Sequence, residues 1–168
     1  MELTDEIVKQ VTDLLGRNPR GLRAVEVVND AGEPSVIRVA SVVDYKPFPT
    51  LFWLIDRTLC YRIDQLEASG LIRILQDQVD EDTTLRDSML RDHTNYIKLR
   101  DDYLTADERI HLLRTGYFEV LENRGIGGIS NPARIRCLHS WYAAHMVAQN
   151  TIGLLLDRHL QDHRSGQF

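Results

Sequence analysis

RAVEVVNDAGEPSVIRVASVV, residues 23–43, carries two β-type runs around a cluster of turn formers. Val25, Val27 and Val28 precede NDAGEP (29–34), and Val36, Ile37, Val39, Val42 and Val43 follow it. β-Branched side chains pack well on a pleated surface and lose rotamer freedom in a helix. Asn, Asp, Gly and Pro supply the backbone angles a reversal needs. The stretch therefore reads as an antiparallel hairpin, RAVEVVN (23–29) against SVIRVASVV (35–43). This reading separates an α+β fold from an all-helical one, because almost everything downstream has helical spacing.

Working outward, DYKPFPT (44–50) breaks the pattern with two prolines, and LFWLID (51–56) reads as a third strand or extended buried segment. Phe48, Phe52 and Trp53 are placed to anchor the sheet to helices. Upstream, a helix is predicted from Thr4 to Leu15, with Thr4 as cap, Asp5 and Glu6 at its positive end and Gly16 as its stop. The basic linker GRNPRG (16–21) joins it to the hairpin.

Downstream, Asp56 caps a helix that stops at Gly70. LIRILQDQ (71–78) is too short for periodicity to decide between helix and strand. A helix over 83–103 places His93 on its apolar face, as a hydrogen-bonded core residue. TADE (105–108) is a capping box. Asn131-Pro132 has the form of a helix start, cap then proline, and predicts a helix to Gln149. A last helix begins near Asn150-Thr151. The expectation is α+β, one domain over 1–168: a helix and hairpin region (1–56), then a helical region (57–168). A small antiparallel sheet of two or three strands packs with about six helices, and the C-terminal two-thirds is mostly helical.

Composition is that of a globular protein, 43% hydrophobic and 27% charged. No apolar run reaches the roughly 18 residues a membrane span needs, and MELTDEIVKQ lacks the basic and apolar blocks of a secretory signal. A cytoplasmic protein with free thiols at Cys60 and Cys137 is expected. The net charge of −5 disfavours duplex nucleic acid, which is held by many phosphate contacts. Residues 124–168 nevertheless carry five basic and two acidic side chains, leaving room for a small anion or a protein partner. Nothing in the sequence sets an oligomeric state or indicates a cofactor.

RGIGGISNPARIRCLHSWYAAH (124–145) concentrates the chemistry. Gly125, Gly127 and Gly128 before a predicted helix start form an anion cradle of free amides and a positive helix end, to which Arg124, Arg134 and Arg136 add charge. No GK[ST] follows, so it is not a nucleotide P-loop. The equal alternative is that these glycines only permit close packing. On a continuous helix Cys137 and His139 lie about 200° apart, so no metal set or thiol–imidazole pair is assigned. His139 or His145 then remains for acid/base work, and His139 is the candidate if the protein is an enzyme acting on a phosphorylated or carboxylated molecule. A binding or regulatory module using residues 124–139 is the preferred expectation, because neither an acid pair nor a nucleophile beside a base stands out. Glu108 and His111 share a helix face, but a di-metal bundle needs a second Glu-x-x-His, and none occurs.

Taken together, GRNPRG (16–21), GEPSVI (32–37), PFPTLFWL (47–54), QLEASGLI (65–72), RGIGGI (124–129), RCLHSWYAAH (136–145) and NTIG (150–153) make the chain resemble an uncharacterised bacterial family, domain of unknown function 501. The resemblance implies no reaction, since the family has none assigned. It does imply departures. Relatives often carry cysteines near Val28 or Asn29 and near Asp56, and a histidine where this chain has Trp141. A metal held through those groups in relatives is implied to be lost here.

Overall fold

The sheet at the centre has strand order β1-β2-β5, all antiparallel: β1 (Leu22–Val28), β2 (Pro34–Val39) and β5 (Phe52–Leu54). The structure, a computed structural model, describes residues 3–165, with side chains to residue 161. The predicted hairpin and third strand are both present, with Val25 opposite Ile37 and Ile37 opposite Trp53. Side chains alternate across β2. Val36 joins the larger hydrophobic cluster among the helices, while Ile37 and Val39 join a smaller one with Val11 of α1 (Asp5–Leu15). The central strand is thus covered on both faces, which its near-continuous apolar run anticipates.

The second run does not stay in one strand. Asp44 and Tyr45 both adopt left-handed backbone angles (φ 51° and 62°), the geometry of a tight two-residue hairpin turn. They fold Val42–Val43 (β3) onto Lys46–Pro47 (β4) as a separate two-stranded ribbon.

The rest is helical, in an α+β arrangement. The helices are α2 (Arg57–Ala68), α3 (Leu71–Glu81), α4 (Thr83–Asp102), α5 (Ala106–Thr115), α6 (Phe118–Glu122), α7 (Leu138–Val147) and α8 (Thr151–Ser165). With α1 this makes eight among the described residues, where about six were expected. The undecided LIRILQDQ is α3, and Leu71, Leu75 and Val79, four residues apart, are all buried. Capping follows the sequence closely. Thr4 accepts the Ile7 N–H, Asp56 the Leu59 N–H, and Thr105 with Glu108 forms the full capping box. No helix is long and apolar enough to cross a membrane among the described residues.

One helix start needs correction. Asn131-Pro132 does not open a helix; α7 begins seven residues later, at Leu138. Asn131 makes a local turn instead, its side chain accepting the Ala133 N–H at 3.0 Å. The side chain of Gln76 on α3 then clasps the following segment, donating to the Ala133 carbonyl (2.9 Å) and accepting the Ile135 N–H (2.9 Å). A side-chain amide thereby takes the place of helical hydrogen bonds and buries Ile135.

NTIG (150–153) finds its reason at the start of α8. Asn150 accepts the Gly153 N–H at 2.8 Å and donates to the Trp141 carbonyl at 3.0 Å. Gly153 lies against His145, where a β-carbon would come within 2.1 Å of the ring.

Candidate functional site

The late start of α7 changes the geometry of Cys137 and His139. Cys137 is extended (φ −152°, ψ 121°) and stands just before the first helical turn. The 200° separation expected on a continuous helix therefore does not arise, and the two side chains meet. Cys137 Sγ lies 3.8 Å from His139 Nδ1. Glu67, near the end of α2, brings its Oε1 to 3.4 Å from the same ring nitrogen and accepts the Leu138 N–H at 2.7 Å. One donor atom from each of Glu67, Cys137 and His139 falls within 4.8 Å of the others.

The opposite edge of the imidazole is also held. His139 Nε2 is 3.2 Å from Asp64 Oδ1 and 3.3 Å from the Cys60 carbonyl. Asp64 and Glu67 are three apart on α2, so both carboxylates reach the ring from one helix face. All three donor residues are half-buried, with side-chain exposures of 24% for His139 and 26% for Glu67.

The electrostatics follow from this packing. The Cys137 contact raises the His139 pKa against burial, with help from Glu67 and the Cys60 carbonyl, to about 9. Burial alone would push the Cys137 thiol up, but His139 and the amide and hydroxyl of Ser140 turn the net shift downward. Cys60 behaves oppositely: burial first, then the charges of Asp64 and Asp56, push its thiol up to about 11. Its Sγ points to the Leu54 carbonyl at 3.5 Å. The two free cysteines are therefore unlike, one drawn toward thiolate and the other kept as thiol.

The glycine turn is arranged for packing. The Gly125 N–H donates to the Ile129 carbonyl, Ile126 N–H to His93 Nδ1, and Gly128 N–H to the Gly125 carbonyl. Two of the three glycine amides counted toward an anion cradle, those of Gly125 and Gly128, thus have partners inside the protein, and the helix end expected beside them is displaced to Leu138. Gly127 and Gly128 take left-handed angles in the turn. Gly125 has a different need: a β-carbon there would sit 1.6 Å from His93 Nδ1. Arg124 donates back to the Gly128 carbonyl at 3.0 Å. Arg124, Arg134 and Arg136 are all exposed.

The other sequence candidates hold structural posts. His93 is the core histidine expected, edge-on to Trp141 with ring centroids 5.1 Å apart. His145 uses both ring nitrogens, accepting the Asn150 N–H and meeting Asp157 at 3.0 Å. Glu108 pairs with Arg23, and His111 contacts the Tyr45 carbonyl. Asn29 and Asp56, near the positions (Val28 or Asn29, and Asp56) where the resemblance implies cysteines in relatives, are neighbours in a polar knot with Ser35. Glu67 is the residue that sequence reasoning missed. Its only local signal was a carboxylate three residues from Asp64.

Comparison with curated proteins and with solved structures gives no match. A family profile does match, over residues 25–158, which takes in the sheet, Glu67, Cys137 and His139. The chain belongs to the family described as Protein of unknown function (DUF501).

Proposed function

We propose that the protein is a transition-metal-binding module, with one divalent ion held by Glu67, Cys137 and His139. The observation that carries this reading is the spacing of the three donors. A tetrahedral zinc ion with ordinary bond lengths sets sulfur and nitrogen ligands about 3.5 Å apart and nitrogen and oxygen ligands about 3.3 Å apart. Two of the three corresponding separations are 3.8 Å and 3.4 Å, and the third, sulfur to carboxylate, lies within 4.8 Å. A sulfur, nitrogen and oxygen set suits zinc among the divalent ions. His139 would bind through Nδ1, leaving Nε2–H to face Asp64, the carboxylate contact that fixes ring orientation in many metal sites. The downward shift of the Cys137 thiol favours the thiolate, the form that binds metal, while the raised His139 pKa means that the ion must displace a proton from that ring.

Zinc is the probe. Protein desalted after incubation with Zn2+ should retain about one equivalent. An ion present at 100 times its dissociation constant adds roughly 2.7 kcal/mol to stability and raises the melting temperature. Cys137→Ser and His139→Ala should abolish both effects, and Cys60→Ser should leave them intact. Wild-type protein that emerges metal-free, with an unchanged melting temperature in zinc, overturns the reading.

A nucleophilic thiol is the second reading, favoured by the sequence of contacts Cys137 Sγ, His139 Nδ1, His139 Nε2, Asp64 Oδ1. It predicts iodoacetamide alkylation of Cys137 at a rate indifferent to zinc. Metal binding predicts protection of Cys137 by zinc and its loss on chelation.

A further inference from the structure

We infer that the fourth coordination position at this centre belongs to a neutral exogenous donor, such as water, an alcohol, a carbonyl oxygen or an imidazole nitrogen, and excludes anions. The inference rests on the metal reading above and concerns what the bound ion would do.

Two observations open the position. Among the described residues, the group of mutually close ligand atoms comprises Glu67, Cys137 and His139, which is three donors for a four-coordinate ion. Two further candidates, both on α2, are turned elsewhere. Asp64 Oδ1 faces Nε2, the far edge of the ring from Cys137 and Glu67. Cys60 Sγ is directed at the Leu54 carbonyl. Three protein donors plus an outside molecule is the pattern of reactive zinc sites, whereas structural sites are closed by four protein ligands. The partial exposure of His139 and Glu67 gives such a molecule a way in.

Charge selects its kind. A divalent ion bound by one thiolate, one carboxylate and a neutral imidazole has no net charge. Asp64 then adds a negative charge beside the ring. An anion approaching this neutral centre gains little from the ion, and Asp64, although 63% exposed and so screened by solvent, adds only repulsion. A neutral donor has no such penalty.

The experiment uses Co2+ in place of zinc, because tetrahedral cobalt gives visible ligand-field bands and its thiolate bond gives a near-ultraviolet charge-transfer band. Imidazole titrated into the cobalt protein should shift the ligand-field bands while the thiolate band persists. Azide and inorganic phosphate should leave the spectrum unchanged. Glu67→Gln removes one negative charge while keeping an oxygen donor, and should make the cobalt centre respond to azide. Cobalt bands that ignore imidazole, azide and phosphate alike mean a closed site and overturn this inference while leaving metal binding in place. A wild-type response to azide stronger than to imidazole overturns the charge argument. Absence of the thiolate band in the wild type overturns the metal reading itself.

Discussion

Glu67 on α2 accepts the backbone N–H of Leu138, the first residue of α7, at 2.7 Å. A helix start leaves its first amides without partners, and Cys137, in the capping position, brings only its sulfur near the Ser140 amide without forming a capping hydrogen bond. A residue 71 positions away therefore supplies the cap. In the presence of chelator, Glu67→Ala should lower unfolding stability by about 1 kcal/mol, the usual worth of a cap. Glu67→Gln retains an acceptor oxygen and should lose less than half of that. Urea titrations of the two variants measure the difference.

The close approach of Gly125 to His93 predicts a larger effect. The His93 ring is fixed by the Ile126 N–H at 2.9 Å and by the edge of Trp141, so it cannot swing aside cheaply. Gly125→Ala should destabilise the protein by about 3 kcal/mol, as overpacking of a core does. In the double variant His93→Ala/Gly125→Ala the clash is absent. The two changes should then fall short of additivity by more than about 1 kcal/mol. Strict additivity would show that the ring does not limit this position.

These particulars explain what was legible in the sequence. Thr4, Asp56 and Thr105 cap helices because each needs only the amide two or three residues ahead, and such local chemistry is written in the chain. Asn131 carries the same signal and misleads, because the side chain of Gln76, more than fifty residues away, captures Ala133 and Ile135. That single tertiary contact moves the start of α7 to Leu138 and takes Cys137 out of helical phase. The 200° separation of Cys137 and His139 holds only on a helix that includes both, and α7 starts after Cys137. Glu67 was invisible for the same reason: its role depends on α2 meeting the start of α7.

His93 sets a pH dependence. Burial first, against smaller opposing effects of Asp92 and the Pro132 carbonyl, lowers its pKa from 6.5 to about 4. Below pH 6.5 the unfolded chain takes up a proton that the folded chain refuses, so stability falls as pH drops. Above that value His93 contributes no slope. The full loss near pH 4 is about 3 kcal/mol. His93→Asn retains an acceptor for the Ile126 amide and cannot take up the proton. Its denaturation midpoint should therefore change less between pH 7 and pH 4 than that of the wild type, a window set by the same shift. Parallel curves for the two proteins would exclude His93 as the source.

Arg100 is the other buried group whose loss should be felt, and it acts on the turn that carries Gly125. The side chain is 1% exposed, and among the described residues its guanidinium donates to three carbonyls: Pro49 at 2.7 Å, Leu121, and Arg124 at 2.6 Å. Leu121 lies at the C-terminal end of α6, where carbonyl dipoles offer partial negative charge in place of a carboxylate. A planar fork can serve three acceptors in different directions, whereas a lysine ammonium is a single point at the end of its chain. Arg100→Lys should cost about 2 kcal/mol, and Arg100→Met, which leaves buried carbonyls without this donor, about 3 kcal/mol. The sharper readout is local. In Arg100→Lys the amides of Gly125 and Gly128, bonded within the turn, should exchange faster by more than the global loss requires. Amides of β2 should change only by the global amount. Equal changes at both places would mean that Arg100 supports the fold as a whole and does not specifically tie down the glycine turn.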